Sequence, residues 1–526
     1  MASDPEKISS HKEAQSGLSG VTSPSVHNGS MGVDDDAAIR DFYGSAVSEV
    51  YRLKSELVSE HLLSIGMGKF QWIMFVVNGF GWVVDNFWSQ GLTAVRPAAA
   101  NEFTSTVSPS FSSVAYYVGL ILGASFWSAS ADIFGRKWAF NATILIGGLF
   151  GCAVAGAQDF VTFSSLWALI GTAAGGNVPV DSIVFLEFVI VALLSWVFFA
   201  NFSCSDDTNC SMKDNMGWRY LMITLGAIAL AFALIRILVF KIPESPRYLL
   251  SKGRDAEAVE AVNYIARYNG KPETLTLEML QAIDIQTGGH ISITSSPEDP
   301  SSGVSTKGLP YVQLLKESFK DYKSSNVRQL FAGRKMAQHT SVTFLIWLTI
   351  GIAYPLYFAF ITSYLQANSN YTTDSSLSYT YKIYCIVSAV GVLGPLAAGF
   401  AVETRLGRRW MMAISAILTG VFLFAYTAVR SEASDIGFQC ATGILGNFEY
   451  AIMFAFSPES FPGPVRGTGT GIAASLLRFG GLIASLISIY GGGYTVISIY
   501  VSAALWIVVG IFCFGLPYET HGHASI

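Results

Sequence analysis

Runs of roughly 20 apolar residues recur along this chain after residue 69, and such a run is what an α-helix needs to cross a bilayer. The runs lie near residues 70–92, 111–130, 138–157, 160–180, a less regular stretch to 200, 217–240, 338–365, 379–401, 410–429, 436–457, 468–490 and 493–516. The sequence therefore predicts an all-α membrane protein with twelve crossings.

Composition excludes several other classes of protein. Charged residues make up 13% of the 526 residues, whereas a soluble protein carries about 25%. The seven histidines show no metal-binding spacing and none lies beside a candidate nucleophile, and no basic tract suggests nucleic acid. We expect no enzyme activity and no metal or cofactor. The expected partners are a small-molecule substrate, protons and the lipid bilayer.

The polar segments divide the chain into five parts. Residues 1–66 are predicted to form a disordered cytoplasmic tail, 67–240 an N-terminal six-helix half, 241–337 a cytoplasmic loop, 338–517 a C-terminal six-helix half, and 518–526 a short tail. Within the loop, RDAEAVEAVNYIARYNG predicts a helix that ends at Asn269 and Gly270.

The distribution of positive charge predicts the orientation in the membrane. With both termini in the cytoplasm, cytoplasmic segments hold 25 of the 32 Lys and Arg residues, outer loops hold four, and spans hold three. The four in outer loops are Arg96, Lys213, Arg219 and Arg430. The predicted outer loops also carry glycosylation candidates at Asn201, Asn209 and Asn370, and Cys204 and Cys210, which form a possible disulfide if the loop faces an oxidising compartment.

An internal repeat supports two halves of six helices. DIFGRK at 132–137 matches TRLGRR at 404–409, and FLEF at 185–188 matches SPESFPGPVRG at 457–467. The separation is 52 residues from Gly135 to Glu187 and again from Gly407 to Glu459. Internal repeats of this kind build the central binding site of many secondary transporters.

The same repeat exposes an irregular fifth span. After Glu187, 13 residues precede Asn201, and as a helix they reach about 20 Å, which is short of the bilayer core. We therefore expect a truncated fifth helix, through a deleted exon, a faulty gene model or a functional adaptation.

These motifs resemble those of the major facilitator superfamily, in particular a fungal group close to the sugar porters. The family's loop motif G-x-x-x-D-x-x-G-R-[R/K] has Ser128 in place of its first glycine. The resemblance implies a twelve-helix facilitator fold with ion pairs that gate the two halves. The residues that match its gating motifs are Asp132, Gly135, Arg136, Lys137, Glu187, Glu244, Arg247, Gly407, Arg408, Arg409, Glu459 and Arg466.

Charged residues inside predicted spans are the candidates for proton coupling or substrate contact, because burying a charge in a bilayer is costly. Asp85 lies about 15 residues into the first span, and Asp181 follows Gly175, Gly176 and Pro179, where a helix interruption could expose backbone. Glu449 and Arg478 lie midway along the tenth and eleventh spans. Two roles stay open for Arg478, an ion pair with Glu449 and the binding of an anionic substrate.

The predicted function is secondary, proton-coupled transport of a small solute by alternating access, at the plasma membrane that is usual for the family. Sugar porters carry a glutamine pair and an asparagine in the seventh span, where this chain reads TFLIWLTIGIAYPLYFAFI. That difference argues against an ordinary hexose carrier. An organic acid, a related small polar metabolite, a sugar-like compound and a secreted natural product stay open as substrates. The alternatives are a non-transporting homologue, either a sensor or a defective product, and a membrane-bound enzyme, for which no catalytic cluster is found.

Overall fold

The computed structural model describes residues 49–103, 108–134, 136–176, 186–204, 210–239, 243–251, 253–286, 325–361, 377–402, 404, 406–429, 431–491 and 496–519, some without their side chains. The α-helices in these ranges are α1 Glu49–Ile65, α2 Lys69–Ala100, α3 Phe111–Phe134, α4 Arg136–Val154, α5 Phe160–Ala174, α6 Leu186–Phe202, α7 Gly217–Val239, α8 Pro246–Ser251, α9 Asp255–Tyr268, α10 Leu277–Gln286, α11 Ser325–Gln329, α12 Arg334–Tyr354, α13 Leu377–Gly391, α14 Leu393–Ala401, α15 Gly407–Tyr426, α16 Glu432–Ser460, α17 Gly463–Tyr490 and α18 Val496–Phe514.

Six stretches within the described residues are long and apolar enough to cross a membrane. They are Gly217–Leu238, Arg334–Ala359, Tyr379–Ala401, Gly407–Tyr426, Val465–Tyr490 and Val496–Phe514. Shorter apolar helices occupy Phe111–Ala124, Trp138–Val154, Phe160–Ala174 and Val189–Phe202. Together with the long helices α2 and α16, they form an all-helical bundle of the kind that a bilayer requires, because each helix satisfies its own backbone hydrogen bonds.

Helices α2–α7 form one half of the bundle and α12–α18 the other. Within the halves, α3 packs on α5, α4 on α7, α12 on α17, and α15 on α18. Between the halves, α3 contacts α17 and α6 contacts α13. The surfaces where the halves meet are called the seam below.

Glycines allow a close approach between the helices α3 and α5. A Cβ atom at Gly119 would lie 2.1 Å from the carbonyl oxygen of Ala168, and one at Gly171 would lie 2.2 Å from that of Tyr116. Gly123 and Gly175 repeat this arrangement one turn further along each helix. Small residues four apart are a common way to pack membrane helices, because they bring the two backbones into contact.

A group of helices outside the bundle, α1, α8, α9 and α10, packs around its own apolar cluster. We call them the cap helices, the side of the bundle that carries them the cap side, and the opposite side the far side. Helix α1 shows that the prediction of a disordered tail to residue 66 is wrong from residue 49 onward. The sequence of α1 has a low mean hydropathy, although one side of the helix, which includes Lys54, is buried.

Lys54 joins α1 to two other cap helices. Its Nζ donates to Asp255 Oδ2 over 2.5 Å and to Asp284 Oδ2 over 2.8 Å. Burial acts to lower the pKa of Lys54, and the hydrogen bonds and charges of the two aspartates outweigh it, so that the pKa is raised above its ordinary value. The helix predicted from RDAEAVEAVNYIARYNG is confirmed as α9, and Gly270 follows it at a φ of 68°.

Two crossings in the C-terminal half are interrupted. Helix α12 continues into a π-helical turn at Pro355–Ala359, and the predicted span 379–401 breaks between α13 and α14 at Val392. Helix α6, which corresponds to the predicted short fifth span, has 17 residues. The residues just before it, 177–185, lie outside the described set.

Candidate functional site

A cavity of about 200 Å³ lies between the two halves. Its walls come from α2 and α3 on one side and from α12, its π turn, α16 and α17 on the other. A cavity at the interface of two repeats is where secondary transporters bind their substrates. This one is smaller than the pockets of 300–1,000 Å³ typical of drug-sized ligands, which indicates a small solute.

One face of α2 supplies most of the polar lining. Asn86, Ser89, Gln90, Thr93 and Arg96 are separated by one, three or four residues, so the helical period places them on a common face. Helix α2 continues to Ala100, eight residues beyond the predicted end of the first span. The extension brings Arg96 into the cavity wall.

Arg96 is 2% exposed and joins the two halves. Its Nη1 donates to Ser113 Oγ over 2.9 Å, within its own half, and its Nη2 donates to the carbonyl oxygen of Ala359 over 2.9 Å, in the other half. The guanidinium also lies 4.2 Å from the centroid of the Phe360 ring. The sequence assigned Arg96 to an outer loop, and that assignment is wrong, because the predicted helix ended too early.

Arg478, on α17, is the second arginine of the cavity wall. The possible ion pair between Arg478 and Glu449 is not formed. Glu449 is fully buried on α16, where its Oε2 accepts a hydrogen bond of 3.0 Å from Ser415 Oγ on α15. It therefore lies inside the C-terminal half, while Arg478 borders the cavity.

Aromatic rings form the wall contributed by the C-terminal half. Tyr354 and Phe358 are stacked, with centroids 4.5 Å apart and ring planes at 24°. Tyr450 lies 4.8 Å from Tyr354, and Phe454 lies 5.5 Å from Tyr450. The cavity thus combines flat apolar surfaces with two positively charged side chains.

Further contacts cross the seam beside the cavity. Tyr381 OH, on α13, donates to the carbonyl oxygen of Ala94 over 2.6 Å, and Tyr384 OH donates to Gln90 Oε1 over 2.6 Å. The Tyr381 ring also lies 4.5 Å from the Phe199 ring of α6. With Arg96, these side chains hold the far-side end of α2 against the C-terminal half.

A buried ion pair lies inside the N-terminal half on the far side. Both carboxylate oxygens of Glu102 accept hydrogen bonds of 2.7 Å from the Arg219 guanidinium, and Glu102 Oε2 also accepts one of 3.1 Å from Trp218 Nε1. Arg219 is 1% exposed, so its assignment to an outer loop is also wrong. No pattern in the sequence indicated that Glu102 was its partner.

The gating motif of the C-terminal half forms contacts on the cap side. Arg408 makes an ion pair with Glu459, and both residues belong to the same half. Glu519 accepts hydrogen bonds of 3.0 Å from the backbone N–H groups of Arg408 and Arg409. Gly407 starts this turn with a φ of 72°, a conformation that favours glycine.

The remaining predicted residues divide into those with described contacts and those without. Arg247 Nη2 donates to Ser59 Oγ on α1, Arg466 Nε donates to the Phe461 carbonyl oxygen, and Glu244 lies half-buried just before α8. The side chains outside the described set are Asp85, Asp132, Arg136, Lys137 and Glu187. Gly135, Asp181, Asn209 and Asn370 lie entirely outside it.

Cys204 and Cys210 form a disulfide in the segment between α6 and α7. Asn201, in the last turn of α6, is exposed and donates from Nδ2 to the Val197 carbonyl oxygen over 2.7 Å. Among the described residues, no three His, Cys, Asp or Glu side chains are grouped to hold a metal ion.

Comparison with known proteins places this chain in a family. The model for "Sugar (and other) transporter" matches residues 62–286 and 300–524. The chain is 56% identical to the major facilitator-type transporter hxnZ of Emericella nidulans, over 95% of this chain and 92% of that protein. It is 41% identical to MFS siderochrome iron transporter 1 of Ceriporiopsis subvermispora, over 92% and 94% of the two chains.

A distant relative is the niacin transporter NiaP of Acinetobacter baylyi, with 24% identity over 82% of this chain and 89% of that one. The solved structure of the proton:xylose symporter XylE matches with a TM-score of 0.61 at 14% identity, covering 89% of this chain and 98% of that chain. This structural likeness concerns the fold. From the family model, the relatives and the fold together, the chain belongs to the sugar (and other) transporter family of the major facilitator superfamily.

Proposed function

We propose that this transporter carries a small organic anion, specifically an aromatic monocarboxylate about the size of niacin or benzoate. The observation that carries the proposal is the cavity of about 200 Å³ with Arg96 and Arg478 in its wall. Arginine binds carboxylates through two parallel hydrogen bonds, and in a site of low dielectric such bonds are strong. The aromatic wall of Tyr354, Phe358, Tyr450 and Phe454 offers flat surfaces for stacking a ring.

The relatives' names support this proposal to different degrees. Niacin is an aromatic carboxylate, so the name of NiaP agrees with the cavity. The name of the siderochrome iron transporter suggests an iron chelate as a second substrate class. We favour the smaller anion because the cavity is small.

The position of Arg96 suggests how substrate binding is coupled to movement of the halves. Its guanidinium holds the Ala359 carbonyl oxygen across the seam while bordering the cavity. A carboxylate that takes both guanidinium nitrogens competes with that carbonyl oxygen, because each N–H group is directed to one strong acceptor at a time. Binding would therefore weaken a contact that keeps the far side closed.

We further propose that Asp85 couples transport to protons, since an intramembrane acid is by default a functional candidate. Asp85→Asn should abolish proton-driven accumulation and leave substrate exchange intact, because a neutral amide cannot carry the proton. An unaltered pH dependence of uptake in that variant would reject this role.

The proposed orientation has both termini in the cytoplasm, at the plasma membrane. With Arg96 and Arg219 inside helices, Lys213 and Arg430 remain of the four positive charges assigned to outer loops, which strengthens the asymmetry. A disulfide between Cys204 and Cys210 suits a far side that faces an oxidising compartment. Glycosylation at Asn201 would agree with this orientation.

The test is uptake by the purified protein in liposomes, with radiolabelled niacin, benzoate, xylose and a ferric siderophore, with and without an inward proton gradient. We expect uptake of the two aromatic acids that exceeds that of xylose and rises with the gradient. Uptake of xylose or the chelate alone would reject the aromatic acid as substrate. No transport of any solute would favour the alternative, a non-transporting homologue with a truncated fifth helix.

A further inference from the structure

A second cavity of about 40 Å³ adjoins the first. The two share Gln90, Tyr354 and Phe358, and the second extends from them between α13 and α16. Its polar lining residues are Gln90, Tyr354, Tyr357, Tyr384, Ser388, Gln439 and Asn447. A volume of this size holds a water molecule or one polar substituent of a larger ligand.

Asn447 lines this small cavity and carries a buried acceptor. The residue is 7% exposed, and its Nδ2 donates to the Gly391 carbonyl oxygen over 3.3 Å. That bond fixes the orientation of the amide, because the flipped amide would place two acceptors against each other. Oδ1 is buried and has no hydrogen-bond partner within the described part of the chain. Buried acceptors in proteins are almost always hydrogen-bonded, so this atom indicates a group that is bound there.

Gln90 presents a donor to the same space. Its Oε1 accepts the hydrogen bond from Tyr384 OH, which leaves the amide Nε2 to donate. Gln90 belongs to the polar face of α2 that also carries Arg96, so one helix lines both cavities. The small cavity is therefore lined by one residue with an acceptor and one with a donor, beside the residues that it shares with the larger cavity.

We infer that the small cavity is a specificity subsite for a hydroxyl group on the aromatic ring of the substrate. This inference rests on the proposed function and narrows the substrate class to hydroxylated aromatic carboxylates. A hydroxyl group donates one hydrogen bond and accepts others, which matches Asn447 Oδ1 and Gln90 Nε2 together. Arg96 and Arg478 hold the carboxylate, and the subsite selects the substituent.

The preference for a hydroxylated over an unsubstituted aromatic acid should be substantial. A site built to bind a hydroxyl group leaves buried polar atoms unsatisfied when the hydroxyl is missing. One such unsatisfied acceptor corresponds to a preference of about 10-fold. The competing explanation is a structural water on Asn447. It would satisfy the same atom and give no preference.

The experiment measures inhibition of radiolabelled benzoate uptake into liposomes by 3- and 4-hydroxybenzoate and by 3- and 4-fluorobenzoate. Fluorine is small and cannot donate a hydrogen bond, so the fluoro acids control for substituent size. We expect one hydroxy isomer to bind at least about 10-fold better than benzoate, with no comparable gain for its fluoro analogue. Equal binding of all five acids overturns the subsite and leaves the proposed function standing. A protein that carries none of them overturns both.

Asn447→Leu removes the acceptor at similar volume. It should reduce the hydroxyl preference, measured against the variant's own affinity for benzoate, to less than about 2-fold, a difference below roughly 0.4 kcal/mol. Thr442→Val is the matched control on the same helix, since Thr442 bonds to its own helix backbone and borders neither described cavity. A preference that survives Asn447→Leu overturns the inference.

Gly391→Ala gives a second route should Asn447→Leu fail to fold. A Cβ atom at residue 391 would lie 2.9 Å from Asn447 Nδ2, so the added methyl group displaces the amide without deleting it. We expect a partial loss of the hydroxyl preference with benzoate uptake kept. An unchanged preference in this variant would also count against the subsite.

Discussion

The interior of each half and the seam between the halves are held together by different chemistry. Inside the halves, the described structure has ion pairs, Arg219 with Glu102 and Arg408 with Glu459. Across the seam, the hydrogen bonds between described residues end on neutral acceptors, the carbonyl oxygens of Ala94 and Ala359 and the amide oxygen of Gln90.

The energies of the two kinds of contact suit two different tasks. Removing one partner of a fully buried ion pair, such as Arg219 with Glu102, costs about 3–5 kcal/mol, whereas a typical hydrogen bond contributes about 1 kcal/mol. A half that moves as a rigid body benefits from the first kind. In the proposed coupling of substrate binding to movement of the halves, the seam needs the second kind, because its contacts must break as the halves separate.

The largest effect we expect is on the stability of the N-terminal half. Glu102→Gln should lower the free energy of unfolding by about 3 kcal/mol, because it leaves the buried Arg219 without its opposite charge. Thermal unfolding in detergent, followed by fluorescence size-exclusion, measures the loss. Glu273→Gln, an exposed change in the cap helices, is the control. A loss as small as that of the control would contradict the proposed division of tasks.

The next effect is on transport. Arg96→Gln should reduce uptake of aromatic acids by about 10- to 100-fold, since a hydrogen bond to a charged group contributes about 1.5–3 kcal/mol. Arg236→Gln provides a matched control, because that arginine lies on α7 over the Phe140 ring, away from the described cavity lining. Arg96→Lys should recover part of the activity. Equal losses in Arg96→Gln and Arg236→Gln would mean that Arg96 has a structural role.

A smaller shift should follow from weakening the seam itself. Tyr381→Phe removes the bond to the Ala94 carbonyl oxygen, which should shift the equilibrium about 5-fold towards separation of the halves on the far side. The distance between spin labels at Lys213 and Glu432, two exposed far-side positions in different halves, measures this. Before labelling, the four free cysteines, Cys152, Cys385, Cys440 and Cys513, are replaced. Unchanged label distances would show that Tyr381 does not hold the seam.

The smallest effect is expected at the gating motif of the C-terminal half. Arg408→Gln should cost no more than about 1 kcal/mol, because the side chain of Glu459 is 39% exposed and solvent screens the pair. The label distance on the far side should stay as in the unchanged protein. A clear change in that distance would show that the motif also controls the seam, as the resemblance to the family implies.

Apolar periodicity predicted the helical crossings well, because every crossing must satisfy the same bilayer thickness. The conspicuous charge motif around Arg408 and Glu459 was found for a similar reason, since it repeats in sequence. The site was predicted less completely. Arg478 was identified as a charge inside a span, but Arg96 was missed because the apolar pattern ends near residue 92 while the helix continues to Ala100.

The seam contacts could not be predicted from the sequence. Their acceptors are backbone carbonyl oxygens, which every residue carries, and their donors include tyrosines that are indistinguishable from packing residues by type. Helix α1 was missed for a different reason. Its buried lysine is neutralised by Asp255 and Asp284, which lie about 200 residues or more away in sequence, and only the fold brings them together.

The π turn at Pro355–Ala359 gives the end of α12 one residue more than a regular α-helical turn holds. The extra residue lies where the Ala359 carbonyl oxygen contacts Arg96. A π turn holds one residue more than an α turn, and moving that residue along the chain shifts the following segment by about 1.5 Å and rotates it by about 100°. Such a one-residue slip would carry the Ala359 carbonyl oxygen away from Arg96 without breaking the helix. Deleting Leu356 should remove the extra residue of the π turn, so that the protein still binds its substrate but no longer transports it. Turnover that survives the deletion would show that α12 moves without a slip.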